Sequence, residues 1–216
     1  MHNFDHNFLP KLQLERIDSP EGRKYITPEN NSYQSVTTFL GKIGKEELDE
    51  WRKNVGEEEA GKISKRASRR GTVLHTNVEQ FLLNKEVNIS STDLVSKSLF
   101  KPFSNILIKN VNNIKALEYP VYSDALKLAG TLDLIADWNK TPSIIDFKTS
   151  NKLKEKYEIE NYFLQTSIYS YMVEERYKIK IPQLVILIGI EFYGTVQVFV
   201  EDRSNYHKKI IKLLRA

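Results

Sequence analysis

Asp146 and Lys148 stand two residues apart in an apolar run, Ser143-Ile144-Ile145-Asp146-Phe147-Lys148. Side chains of an extended chain alternate faces, so this carboxylate and this ammonium project from one face while Ile145 and Phe147 point to the other. Asp133 interrupts a second apolar run, 128–137, on the face opposite Leu132 and Leu134. The breakers Asn139, Lys140, Thr141 and Pro142 between the runs predict a hairpin that sets Asp133 beside Asp146. Two carboxylates held close repel unless a hard divalent cation lies between them, and Mg²⁺ is bound by one or two carboxylates with waters and a phosphate. Such a cation acidifies a bound water and polarises the phosphate, and a lysine neutralises the developing charge, which suits phosphodiester hydrolysis. The plain alternative is a pair of strand acids with a solvated lysine.

Several elements must position these groups. Residues 72–83 predict a helix with Leu74, Val78, Phe81 and Leu82 on its apolar stripe and His75 and Glu79 one turn apart beside it. His75 fits either a hydrogen-bonded packing residue or a ligand for Mn²⁺ or Mg²⁺. A helix before it, separated at Gly71, carries Lys62, Lys65, Arg66, Arg69 and Arg70 at three- and four-residue spacing. This is one basic face, suited to a nucleic-acid backbone or to solvent. The run 116–123 reads as a strand in which Glu118 is an outer group of the metal centre or a surface carboxylate. The helix 162–177 pairs Gln165 with Tyr169 on its flank, for packing or for contact with nucleic acid. Between these, Thr92 caps a helix, and Pro102 separates it from a second helical piece. The strands 184–192 and 195–201 and a basic helix over 203–215 close the chain.

Near the N-terminus, a hairpin ends at Ile26, Ser35 caps a short helix, and a further helix covers 46–55. The first residues, with His2 and His6, read as a polar disordered tail without a role. Net charge is +4 over 216 residues, and a composition 40% hydrophobic and 28% charged predicts a globular protein with one sizeable core. With no cysteine, disulfides and cysteine-bound zinc or iron–sulfur clusters are excluded. The absence of an apolar signal core or a membrane-length run predicts an intracellular, cytoplasmic protein with no membrane partner.

Taken in order, Gly71 with His75, Gly130 with Asp133, Asp146 with Lys148, and Gln165 with Tyr169 resemble the motifs of the RecB-like branch of the PD-(D/E)XK nucleases. Ser35 and Thr37, followed by the Trp51 region and Arg70-Gly71, are similar to the N-terminal part of mitochondrial genome maintenance exonucleases and related phage and bacterial exonucleases. The resemblance implies an α/β fold with a mixed sheet flanked by helices. It implies that His75, Asp133, Asp146 and the Phe147 carbonyl hold Mg²⁺ or Mn²⁺, with Lys148 catalytic. Glu79, Glu118, Gln165 and Tyr169 become supporting or DNA-contacting residues. Ser35, Thr37 and the basic face from Lys62 to Arg70 become DNA-binding. The cluster-bearing subtype of the family needs four cysteines and is excluded.

The expected organisation is an N-terminal hairpin and helical arch over 1–70 and a nuclease core over 71–216. The expected function is a metal-dependent DNA exonuclease acting on single strands or DNA ends. The alternatives are an endonuclease on the same core and a nucleic-acid-binding protein without activity; paired acids argue against the latter, because binding alone does not require them.

Overall fold

In the computed structural model, which describes residues 2–43, 45–89 and 94–215, eight strands form one mixed sheet. A hairpin of β1 (Glu15–Ser19) and β2 (Gly22–Ile26) leads to β3 (Ser32–Ser35) and three helices, α1 (Val36–Gly41), α2 (Lys45–Val55) and α3 (Glu57–Leu82). Next come α4 (Leu94–Asn110) and the long strands β4 (Val111–Ser123), β5 (Leu128–Trp138) and β6 (Thr141–Ser150). The crossover helix α5 (Glu160–Tyr177) leads to β7 (Gln183–Ile190), β8 (Thr195–Asp202) and α6 (His207–Arg215). The sheet runs β1-β2-β3-β5-β6-β7-β8, with β4 also paired to β5.

The apolar residues of the strands divide between two layers. On one face Phe163, Ile168 and Met172 of α5 pack with Ile144, Leu184 and Ile186. On the other, Leu74 and Val78 of α3 and Phe103 and Leu107 of α4 pack with Ile145, Phe147, Val185 and Leu187. Because β6 and β7 are parallel and covered on both sides, they read as nearly continuous apolar runs rather than alternating ones. This is the α/β architecture expected from the sequence.

Three expectations are corrected. Gly71 separates nothing: α3 is one helix from Glu57 to Leu82, and residues 70 and 71 lie inside it. A glycine there costs only about 1 kcal/mol relative to alanine, and burial of Leu74, Val78 and Leu82 outweighs it. Pro102 likewise lies within a single α4. Leu99, Phe103 and Leu107, at i, i+4 and i+8, are all buried, which holds both halves of α4 on one line. The cap expected at Thr92 falls outside the described residues. The N-terminal tail is an ordered strap. Phe4 is buried, its N–H donates to Asn84 Oδ1 (2.8 Å), and the N–H groups of Asn7 and Leu9 donate to the carbonyls of Ile114 and Lys115. One apolar anchor and a run of backbone bonds along β4 order a segment whose composition is polar. His6 contributes a contact between Nε2 and the Leu82 carbonyl at 2.7 Å.

Candidate active site and metal centre

The site forms where strand pairing fails. β5 and β6 pair from Trp138↔Thr141 to Leu134↔Ile145, so the next rung would set Asp133 opposite Asp146. At that rung the Asp133 carboxylate replaces the backbone: Oδ2 accepts from the Phe147 N–H at 2.7 Å. On its other side β5 pairs Leu132 with Tyr119 and Leu134 with Leu117, so the intervening rung is Asp133 with Glu118. Glu118 has φ 42°, a left-handed conformation inside a strand. It costs a residue other than glycine on the order of 1 kcal/mol and marks stored strain. Alternation slips here. Leu132 joins the core under α5 and Leu134 the core under α3 and α4, not one common face as the strict two-residue period predicts. The slip lets both carboxylates of this rung meet His75.

His75 comes down from α3. Its Nδ1 lies 3.1 Å from Glu118 Oε1 and 3.6 Å from Asp133 Oδ1, and Nε2 is 2.9 Å from the Phe147 carbonyl. Burial by itself would push the imidazole down, but the bond to Glu118 and the charges of Asp133 and Glu118 raise it to about 9. At neutral pH both ring nitrogens therefore donate, and an imidazolium neutralises the acids. Candidate ligand atoms of His75, Glu118 and Asp133 all lie within 4.8 Å of one another. Nitrogen and carboxylate donors without sulfur fit a hard divalent cation such as Mg²⁺ or Mn²⁺.

Asp146 and Lys148 complete the site from the α5 side. Asp146 is 2% exposed and forms a close ion pair with Lys148 Nζ, and Gln165 Nε2 reaches its Oδ1 at 3.4 Å. Burial pushes the Asp146 carboxyl up to about 6 against the pull of Lys148. Burial would lower the Lys148 ammonium, but Asp146 and Asp133 outweigh it and raise it, so it stays charged. Its Nζ sits 5.2 Å from the centre of the Tyr162 ring, an aromatic neighbour that spacing did not single out.

The other expected site residues are distributed as follows. Tyr169 is buried in the α5 core and so presents no surface to DNA. A Cβ on Gly130 would lie 2.6 Å from its hydroxyl, so the glycine of β5 and the tyrosine of α5 are needed by each other. Glu79 is half-buried on α3 and outside the His75 group. Ser35 is buried and caps α1, its Oγ accepting from the Thr38 N–H at 3.0 Å, whereas Thr37 is exposed. Lys62, Lys65, Arg66 and Arg69 are exposed on α3, with Lys62 2.8 Å from Glu58. Arg70 leaves this face: it pairs with Glu191 just past β7 and donates to Asn151 Oδ1 just past β6 at 2.7 Å. Asn151 carried no signal in the sequence beyond following an apolar run, and Glu191 falls inside the strand expected over 184–192, which instead ends at Ile190 and gives way to a 3₁₀ turn.

Residues 45–210 match the PD-(D/E)XK nuclease superfamily. The chain belongs to that superfamily. As in other PD-(D/E)XK nucleases, a divalent metal is the expected cofactor, and the donor set around His75 suits it. The human mitochondrial genome maintenance exonuclease 1 is 26% identical over 161 residues, covering 68% of this chain and 47% of that protein. The mouse protein of the same name is 27% identical over 159 residues, with the same coverage. The chain thus spans about half the length of the curated relatives it matches. The crystal structure of SSO0001 superposes with a TM-score of 0.42 at 12% identity, covering 84% of this chain and 72% of that one. No helix among the described residues is long and apolar enough to cross a membrane.

Strain at Glu118 has a measurable sign. Glu118→Gly and Glu118→Ala both remove the carboxylate, but only glycine accepts φ 42° freely. The glycine variant is expected to be the more stable by about 1 kcal/mol in denaturant unfolding, although glycine is ordinarily the poorer strand residue. Equal or reversed stabilities would remove the strain from this account.

Proposed function

We propose that this nuclease is a metal-dependent DNA exonuclease that degrades single-stranded DNA from an end. His75 of α3 set against Asp133 and the Phe147 carbonyl, with the Asp146–Lys148 ion pair on the strand beside Asp133, carries the reading. His75, having lost its extra proton, would hold the Mg²⁺ or Mn²⁺ with Asp133, Asp146 and the Phe147 carbonyl; Glu118 would accept from Nδ1–H and so leave Nε2 free. The cation supplies an acidified water and a polarised phosphate. Lys148 stays charged beside the reacting phosphate, orients the nucleophile and neutralises charge that develops on oxygen. Gln165 holds Asp146 in place.

The case for an end rests on the arm above the site. Residues 61–69 of α3 are exposed on every side, so this stretch stands clear of the body as one limb of a hairpin with α2. Its cations suit the phosphates of a strand led towards His75 on the same helix, and Trp51 of α2, half-buried, is placed to stack a base, whereas Phe39 packs against the α5 core. Neutralising two of Lys65, Arg66 and Arg69 is expected to reduce the slope of log affinity against log salt by about one unit per lost contact. An unchanged slope would return the arm to solvent.

The deciding experiment compares linear single-stranded DNA with covalently closed single-stranded circles in Mg²⁺ and in Mn²⁺. Degradation of the linear strand with intact circles is expected. Linearised circles would replace the threading model with an endonuclease, and no cleavage of either substrate would refute the nuclease reading.

A further inference from the structure

Immediately past the catalytic strands the chain presents two large aromatic rings to solvent. Phe192 is 83% exposed and Tyr193 61% exposed, and the two rings lie 5.4 Å apart at an interplanar angle of 78°. Isolated exposed apolar residues need no explanation, but adjacent rings at a fixed angle on a rigid mount are a different case. The mount is a single 3₁₀ turn, Glu191–Tyr193, closed by Gly194 at φ 56°. It is tied back to the body by Arg70, which pairs with Glu191 and bonds Asn151. Arg70 thereby clamps together the ends of β6 and β7 from the helix that carries His75.

The mount also has a fixed distance from the chemistry. β6 and β7 run parallel with Lys148 opposite Ile188 and Ser150 opposite Ile190. The turn starts at the residue after Ile190, so it lies three residues beyond the rung of Lys148, about 10 Å along the strands. The acids around it are already engaged, Glu191 by Arg70 and Glu158 by Lys152 and Lys154. Lys152, three-quarters exposed, and the cations of α3 leave the surroundings favourable to an anionic chain. Of the other exposed apolar residues, Phe8 stacks on His6 in the N-terminal strap and Tyr157 lies on the short turn Lys156–Ile159, whereas Ile43, Leu48, Val55 and Ile63 are aliphatic and lack a flat face for a base.

We infer that Phe192 and Tyr193 form a base-stacking platform that holds nucleotides of a single strand next to the scissile phosphate. This rests on the nuclease reading and extends it, by assigning the bases a docking place that the phosphate-binding cations do not supply. Stacking tolerates every base, so the platform adds affinity without sequence preference, and it requires unpaired bases, so it favours single strands over duplex. Arg70 acts as a positioning residue, through Glu191.

The test measures binding of a fluorescent single-stranded oligonucleotide with Ca²⁺ in place of Mg²⁺. Phe192→Ala and Tyr193→Ala, whose melting temperatures should match the parent because both rings are exposed, are each expected to weaken binding by roughly 5- to 100-fold. Phe192→Tyr and Tyr193→Phe should bind as the parent does. A scan of abasic positions along the oligonucleotide should find one or two sites that weaken the parent by a similar factor and leave the Phe192→Ala, Tyr193→Ala double variant unaffected, as coupled partners require. Parent-like binding by the double variant, or abasic effects of equal size in parent and variant, would overturn the platform while DNA cleavage by the parent leaves the nuclease reading standing. A parent that neither binds nor cleaves DNA in Mg²⁺ or Mn²⁺ would overturn both.

Discussion

Lys148→Ala and Asp146→Asn are each expected to lower DNA cleavage by at least about 10²-fold, because in the proposed mechanism each removes a charge that would act on the reacting phosphate or hold the cation there. The two variants should part company in metal-free stability. Asp146 is buried, its carboxyl pushed up to about 6, so at pH 8 its ionised form is held against a desolvation penalty. An isosteric amide removes that penalty, and metal-free Asp146→Asn is expected to melt no lower than the parent. Lys148→Ala instead leaves Asp133 and Asp146 facing each other across one rung without their ammonium, and it should melt lower in EDTA. Mn²⁺ should restore most of that loss, since a divalent cation replaces the missing charge. Paired thermal melts with and without Mn²⁺, alongside turnover, check both signs. A folded Lys148→Ala protein with near-parent turnover would remove Lys148 from the mechanism.

The second large effect is on pH. His75 is raised from an ordinary value near 6.5 to about 9, so its contribution to metal-free stability is fully present below 6.5 and disappears as pH rises through 9. The loss is expected to reach at most about 3 kcal/mol, and His75→Gln should flatten the profile. Asp146 has the same sign at lower pH: its raised carboxyl favours the folded state below about 3.8 and ceases to do so as pH rises through about 6. Metal binding runs the other way. A ligating imidazole must be neutral, so apparent Mn²⁺ affinity is expected to rise roughly ten-fold per pH unit below 9, with a proton released on binding. Calorimetry in buffers of different ionisation enthalpy counts that proton. A metal-free melting temperature that climbs between pH 6.5 and 9 would show that His75 is not held as an imidazolium.

Local sequence determined the parts of this protein that depend on local periodicity. Breakers between two apolar runs specify the β5–β6 hairpin, and the two-residue period of a strand places Asp146 and Lys148 on one face; the ion pair follows. The same period misplaced Leu132 and Leu134, because alternation slips at the rung where Asp133 stands beside Glu118, whose left-handed φ its residue type does not announce. Helix punctuation misled where burial was stronger: Gly71 and Pro102 are breakers by propensity, and the stripes packed against the sheet carry α3 and α4 through them. Only the tertiary structure decided which carboxylate meets His75. Asp133 and Glu118 are brought to it by pairing on both sides of β5, between residues 43 apart for His75 and Glu118. The tertiary structure also took Arg70 from the basic face to Glu191, 121 residues away, because helix spacing specifies a direction from the axis and not what stands there.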